Sequence, residues 1–178
     1  MSRKSITLRC LAEGAMVAAM YTALTLVIPA ASFGLTQFRV AEILTILPIF
    51  TPAAIPGLTV GCMVSNIIGL SIGANLAGIW DVIFGPLATL TAALLTYYLR
   101  KIRWAGLPIL STLPPVLINA AVIGLELTLV LLTFSWRNYA IAFLSVGIGQ
   151  LVACAFCGLI LFVMLNRTGA ARHIFTRK

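Results

Sequence analysis

An apolar run from Val40 to Ile72 is the strongest constraint on what this chain can form. As a single helix its 33 residues would be about 50 Å long, well beyond the ~30 Å hydrocarbon core of a bilayer. The segment 52–57, Pro-Ala-Ala-Ile-Pro-Gly, divides the run, because proline stops a helix and glycine permits a reversal. We therefore predict two short helices joined by a tight turn. The run is too long and does not alternate as a strand would.

The rest of the composition agrees with a membrane environment. Hydrophobic residues make up 61% of the chain and charged residues 9%, against ~25% charged in soluble domains. Twelve basic and four acidic residues cannot cover a 19.0 kDa globule in water. Soluble enzymes, disordered chains and nucleic-acid binders are thus excluded despite the net charge of +8. The fold class predicted is an all-α integral membrane protein.

Apolar runs and their punctuation divide the chain into six predicted transmembrane helices. They form one domain over residues 1–178, with short basic ends at 1–9 and 167–178. The predicted spans are Leu11–Pro29, Val40 to the break at 52–57, that break to Ile72, Asp81–Leu99, Leu107–Phe134 and Tyr139–Leu165.

Basic residues predict the orientation. With six spans both ends share one side, which then holds ten Lys and Arg residues, against Arg39 and Arg137 on the other. Cytoplasmic loops carry an excess of Lys and Arg, so both termini are predicted to be cytoplasmic. The basic ends are topology signals and need no nucleic-acid partner.

Catalytic and metal-binding patterns are missing from the sequence. Cys154 and Cys157 have a CxxC spacing without a second pair, and His173 is the single histidine, so we interpret both cysteines as small buried residues. No nucleophile–histidine–acid set or phosphate loop is visible. We expect no metal, no cofactor and no enzymatic activity.

Acidic residues inside the predicted spans are the main functional candidates, because burying a charge in a bilayer is costly. Glu13 is expected to pair with Arg9 one turn earlier. Glu42, Asp81 and Glu126 all fall in the outer halves of their predicted helices, where they would face one outward-open cavity. An ion pair of Glu42 with Arg39, a helix-capping role for Asp81 and simple bridging between helices are the structural alternatives. The candidate substrate-binding residues are Gln37, Phe38, Arg39, Glu42, Asn66, Trp80, Asp81, Phe84, Asn119 and Glu126.

Alanines recur every four residues on the first helix at Ala15, Ala19 and Ala23. Such a stripe of small side chains lets another helix approach closely. Spacing alone favours ordinary packing within this chain.

Three blocks of sequence resemble the QueT family of queuosine-precursor transporters, substrate-binding (S) components of energy-coupling factor (ECF) transporters. They are GLTQFRVAEILTILP at 34–48, GLTVGCMVSN at 57–66 and GIWDVIFGPLATL at 78–90. The resemblance implies a six-helix S-component fold in the plasma membrane of a bacterium. It also implies that the alanine stripe docks on a transmembrane coupling subunit, to which two ATPase subunits supply energy. Relatives often carry an acid where this chain has Gln150.

The implied substrate is a 7-deazaguanine such as queuine or 7-aminomethyl-7-deazaguanine. A carboxylate would accept the N1–H and amino group of the guanine edge, for which Glu42 is slightly favoured over Asp81. Glu126 has no basic neighbour in sequence, so it is expected to pair with an amine of the ligand. An S component for another flat vitamin such as thiamine, a small channel and a membrane-embedded enzyme are the alternatives.

Overall fold

The structure, a computed structural model, describes residues 3–34 and 37–175. The described residues form helices joined by turns, with one isolated bridge between Trp104 and Leu107. The helices are α1 (Arg3–Val27), α2 (Pro29–Ser32), a 3₁₀ helix (Val40–Ile49), α3 (Ala54–Ser71), α4 (Ile79–Leu99), α5 (Ile109–Val130), α6 (Trp136–Gln150), a π-helical segment (Leu151–Cys157), α7 (Gly158–Arg167) and α8 (Ala170–Ile174). The all-α prediction is confirmed.

Within the described residues, five helical stretches are long and apolar enough to cross a membrane. The second predicted span instead corresponds to the 3₁₀ helix, whose ten residues extend only roughly 20 Å at about 2 Å per residue. The count of six spans and the cytoplasmic location of both ends therefore stay predictions. Parts of the basic ends at 1–9 and 167–178 lie outside the described residues. The five stretches are Thr7–Val27, Ala54–Ser71, Ile79–Leu99, Ile109–Val130 and Trp136–Arg167.

The 3₁₀ helix lies at the centre of the bundle. Seven of its ten residues are buried, and it packs against α1, α3, α4, α5, the π-helical segment and α7. The chain does break near Pro52, because a turn at 50–53 separates the 3₁₀ helix from α3, but Pro56 and Gly57 of the predicted break lie inside α3. Runs of 3₁₀ helix longer than a few residues are uncommon. Here the flanking helices bury this run on nearly every side.

Small residues bring α1 and α3 into close contact. A side-chain carbon added at Gly57 would lie 2.6 Å from the carbonyl oxygen of Gly14, and one added at Gly61 would lie 2.8 Å from that of Ala18. The alanine stripe of Ala15, Ala19 and Ala23 is on a different face of α1 and is exposed. Packing within this chain therefore does not account for the stripe.

Polar contacts join the turn after the 3₁₀ helix to α1, in the half of α1 that lies away from α2. Arg9 Nε lies 3.7 Å from Glu13 Oε1, which confirms the predicted pair. Thr51 Oγ1 also donates to Glu13 Oε2 at 2.8 Å. Glu13 thus has partners on two elements, and its burial has a structural explanation.

Candidate functional site

A buried ion pair joins the start of the 3₁₀ helix to the start of α4. Arg39, the residue before the 3₁₀ helix, places Nη2 2.5 Å from Asp81 Oδ2. Burial alone lowers the pKa of Arg39, but the adjacent Asp81 carboxylate raises it above its ordinary value, so the guanidinium stays charged. Arg39 Nε also donates to the carbonyl oxygen of Ser32 at 3.0 Å, and Asn75 Nδ2 donates to Asp81 Oδ2 at 3.1 Å.

Two of the structural alternatives for these acids are wrong. Asp81 does not cap α4, because the residue at the cap is Gly78 and no side chain makes a capping hydrogen bond there. The positive φ of 69° at Gly78 suits glycine and turns the chain into α4. Arg39 does not pair with the nearby Glu42, because its guanidinium is bound to Asp81. The long-range pair holds α4 against the loop that precedes the 3₁₀ helix.

Glu42 is the centre of a second buried cluster, one turn into the 3₁₀ helix. Tyr21 Oη of α1 donates to Glu42 Oε1 at 2.5 Å, and Asn119 Nδ2 of α5 donates to Oε2 at 3.3 Å. Cys154 Sγ of the π-helical segment lies 4.0 Å from the same Oε2 and 3.0 Å from Gln150 Oε1. Both oxygens of Glu42 therefore have partners.

Three of the buried side-chain atoms that have no hydrogen-bond partner among the described residues belong to Asp81, to Asn66, which contacts it, and to Gln37, which precedes Arg39 by two residues. They are Asp81 Oδ1, Asn66 Oδ1 and Gln37 Nε2. Asn66 reaches Asp81 through its other atom, since its Nδ2 donates to the Asp81 carbonyl oxygen at 2.5 Å. Gln37 adopts a left-handed backbone with φ 41°, a conformation that costs energy for a residue with a side chain and often occurs at functional sites.

Gly85 gives this cluster its space. A side-chain carbon added there would lie 2.6 Å from Asn66 Nδ2 and 2.9 Å from Asp81 Oδ1. Because no real side-chain carbon tolerates such distances, only glycine at this position leaves both groups in place. The carboxylate and the amide therefore depend on the GPLATL part of the third block as well as on their own positions.

Glu126 lies apart from both clusters. Its side chain lines a cavity of about 700 Å³ that Phe84 of α4 and Tyr139 of α6 also line. Neither carboxylate oxygen of Glu126 has a hydrogen-bond partner among the described residues. The residue interacts electrostatically with Asp81 and Arg39. Neither Glu42 nor Asp81 lines this cavity, so the described residues do not bring the three acids together around it.

The aromatic candidates are less enclosed than the polar ones. Trp80 and Phe84 stack on each other with ring centroids 6.1 Å apart, and their side chains are 50% and 40% exposed. Phe38 is half-buried. Phe33, which the sequence did not single out, is buried beneath the Arg39 guanidinium, 5.4 Å from it.

Sequence reasoning missed Tyr21 and underestimated Cys154. Tyr21 precedes Glu42 by 21 residues and sits in an ordinary apolar helix, so no local spacing connects the two. Cys154 is buried as predicted, whereas Cys157 is only half-buried. Cys154 also contacts Glu42 from 112 residues away. A tyrosine hydroxyl in the middle of an apolar helix was the available signal, since buried tyrosines usually find a hydrogen-bond partner.

Among the described residues, no group of three or more His, Cys, Asp or Glu side chains is placed to hold a metal ion. What these residues do offer is a set of buried amides, carboxylates and one guanidinium inside an apolar helical bundle. Such groups bind polar small molecules by hydrogen bonds.

In an all-helical, multi-pass membrane protein, a buried polar centre of this kind can mark a substrate or ion pathway, as it does in membrane transport proteins. Comparison with protein families agrees: the family described as QueT transporter matches residues 11–167. The chain therefore belongs to the QueT transporter family, a family of transporters and not of enzymes.

A curated relative is similar over part of the chain. The queuosine precursor transporter QueT of Lactococcus lactis subsp. cremoris (strain MG1363) is 40% identical over 79 residues. The match spans 43% of this chain and 42% of that protein, so less than half of the relative is covered. No solved structure matches the chain.

Proposed function

We propose that this chain is the substrate-binding S component of an ECF-type importer in the plasma membrane of a bacterium. Its substrate is a queuosine precursor, a 7-deazaguanine such as queuine or 7-aminomethyl-7-deazaguanine. Family membership and the printed name of the Lactococcus relative support this substrate class. The single structural observation that carries it is the set of unpartnered buried atoms on Asp81, Asn66 and Gln37.

In their donor and acceptor types, those three atoms match the edge of a guanine-like ring. The ring presents an N1–H donor beside an exocyclic amino group, with a carbonyl oxygen next to them. Asp81 Oδ1 and Asn66 Oδ1 would accept from the two donors, and Gln37 Nε2 would donate to the carbonyl oxygen. A buried polar atom without a partner costs about 1–3 kcal/mol. A ligand that forms hydrogen bonds with all three atoms would therefore gain a substantial part of its binding free energy from them.

Asp81 is better suited than Glu42 to bind the ring edge, although the sequence analysis slightly favoured Glu42. Glu42 already accepts from Tyr21 and Asn119 on separate oxygens. Asp81 uses only Oδ2, for Arg39 and Asn75, and its Oδ1 remains unpartnered among the described residues. In this account Glu42 and Asn119 hold the 3₁₀ helix in place, and Arg39 orients the Asp81 carboxylate.

Entry to this site requires movement of the segment before the 3₁₀ helix. Asp81 and Asn66 have no exposed surface, and Arg39 covers the Asp81 carboxylate. We propose that the Ser32–Arg39 segment, of which residues 35 and 36 lie outside the described residues, opens toward the outside and closes over the bound ring. Six spans with both ends cytoplasmic, the 3₁₀ helix acting as the second, would put this segment on the outer side.

Coupling would occur on the exposed face of α1. Ala15, Ala19 and Ala23 are exposed there, and Ala15 also lines a groove of about 460 Å³ between α1 and α3. We propose that a helix of the transmembrane coupling subunit packs on this face, where small side chains allow close approach. Two ATPase subunits bound to that subunit would hydrolyse ATP, since the chain itself is not an enzyme.

Uptake of radiolabelled queuine tests this function. Cells that express the chain together with the coupling module should accumulate the label, and cells that lack either part should not. Accumulation without the module would indicate a channel. Chemical change of the label by the purified chain would indicate an enzyme. Uptake of thiamine in place of queuine would keep the S-component role and overturn the substrate.

A further inference from the structure

The cavity between α4, α5 and α6 contains an acid that the ring-binding site does not use. Glu126 is only 4% exposed, and both of its carboxylate oxygens are buried without a hydrogen-bond partner in the described part of the chain. The volume beside it is about 700 Å³. An ionised carboxylate in such a place is strongly disfavoured unless a positive charge accompanies it.

The surroundings of Glu126 favour a cation over an anion or a neutral group. The nearby Arg39 is held by Asp81, so those two charges balance each other. Glu126 lies four residues before Val130, the last residue of α5, hence only about 6 Å from that end of the helix. The carbonyl groups at a helix C-terminus carry partial negative charge. The Glu126 carboxylate and the C-terminal end of α5 therefore both attract a positive charge.

The lining of the cavity selects the kind of cation. Phe84 and Tyr139 supply aromatic rings, which attract ammonium groups. The other lining residues are mostly aliphatic, such as Leu87, Leu117 and Leu125. A metal ion prefers several oxygen ligands, whereas this cavity offers one carboxylate. An organic ammonium group with an apolar neighbourhood fits the lining better.

We propose that this cavity is a second subsite, which binds the protonated amine carried by the substrate while the ring lies at Asp81. The inference rests on the proposed function, since the amine in question is the substituent at position 7 of a 7-deazaguanine. The Glu126 carboxylate would pair with the ammonium group, and the rings of Phe84 and Tyr139 would lie beside that group. Ligands without this charge would lose the contribution of the subsite.

Calorimetric titration with two matched ligands tests the subsite. 7-Aminomethyl-7-deazaguanine carries the amine, and 7-cyano-7-deazaguanine carries a nitrile in the same position. Wild-type protein should bind the amine at least about 10-fold more tightly, as expected for a charged hydrogen bond. Glu126→Gln keeps the shape of the side chain. It should weaken the affinity for the amine-bearing ligand by at least about 10-fold and leave the affinity for the nitrile-bearing ligand nearly unchanged.

Glu13→Gln is the matched control, because Glu13 is also a buried acid but is paired with Arg9 and bonded by Thr51. It should not change the ratio of the two affinities. Equal loss of both ligands in Glu126→Gln, or no loss of either, would overturn the subsite. If Glu126→Gln does not fold, equal affinity of the wild-type protein for both ligands is enough to overturn the subsite. Failure of wild type to bind either ligand would instead contradict the proposed function.

Discussion

Tyr21 of α1 and Glu42 of the 3₁₀ helix share a buried hydrogen bond of 2.5 Å between the phenol and Oε1. The two residues on either side of Tyr21 in the alanine stripe, Ala19 and Ala23, face outward from the same turns of α1. One stretch of helix thus presents its outer face to the proposed partner and its inner face to the centre of the bundle. Displacement of α1 would act on Glu42 directly.

Tyr21→Phe should destabilise the protein without changing its packing. The substitution removes only the hydroxyl and leaves Glu42 Oε1 buried without its donor, at a cost of about 1–3 kcal/mol. Thermal unfolding of the purified protein in detergent should show a lower midpoint. Tyr98→Phe is the control, because Tyr98 is 71% exposed, and it should leave the midpoint nearly unchanged. Equal midpoints for the two variants would mean that the buried bond contributes nothing.

Gly85→Ala should damage the ring-binding cluster. The added methyl group would meet Asn66 Nδ2 at 2.6 Å and Asp81 Oδ1 at 2.9 Å, so both groups must move. We expect loss of 7-deazaguanine binding by at least about 10-fold, which corresponds to about 1.4 kcal/mol. Gly147→Ala in α6 is the control, since its added carbon would make an ordinary 3.5 Å contact with Ala120. Unchanged ligand affinity in Gly85→Ala would show that the ring binds elsewhere.

Local sequence signals predicted the helices well and the partners poorly. The break near Pro52 followed from proline, whose effect is local, although Gly57 lies inside α3 and does not form the turn. The Arg9–Glu13 pair followed from one-turn spacing. Hydropathy could not reveal that the second apolar stretch is a buried 3₁₀ helix, because it reports burial and not helix type. The partner of Arg39 lies 42 residues away. Only the packing of α3 and α4 brings Asp81 to it, and spacing therefore pointed to Glu42.

Ala19→Leu should separate binding from transport. A leucine on the exposed face of α1 would hold a docking helix away, while the buried clusters stay intact. Substrate binding by the isolated protein should be nearly unchanged, and ATP-driven uptake with the coupling module should be abolished. Ala140→Leu is the control, because Ala140 is exposed on α6, and it should transport normally. Wild-type uptake by Ala19→Leu at equal expression would remove the docking role.

Ligand should protect the segment from Ser32 to Arg39 against hydrogen exchange. Binding-site loops that open for entry belong to the less stable parts of a structure. Arg39 Nε already reaches the carbonyl oxygen of Ser32, and a bound ring would hold both ends in place. Mass spectrometry of exchange with and without 7-aminomethyl-7-deazaguanine should show slower exchange in this segment and little change in the middle of α4. Equal exchange in both states would argue against its role as a lid.

Calorimetric titration of the purified wild-type chain with 7-aminomethyl-7-deazaguanine, and separately with thiamine, is the decisive test of the proposed substrate class. We expect saturable binding of one 7-deazaguanine per chain and no heat from thiamine. Asp81→Asn should lose that binding, because the ring loses its carboxylate and Arg39 loses its partner. Saturable binding of thiamine, or no binding of the 7-deazaguanine by folded wild-type protein, would contradict the assignment.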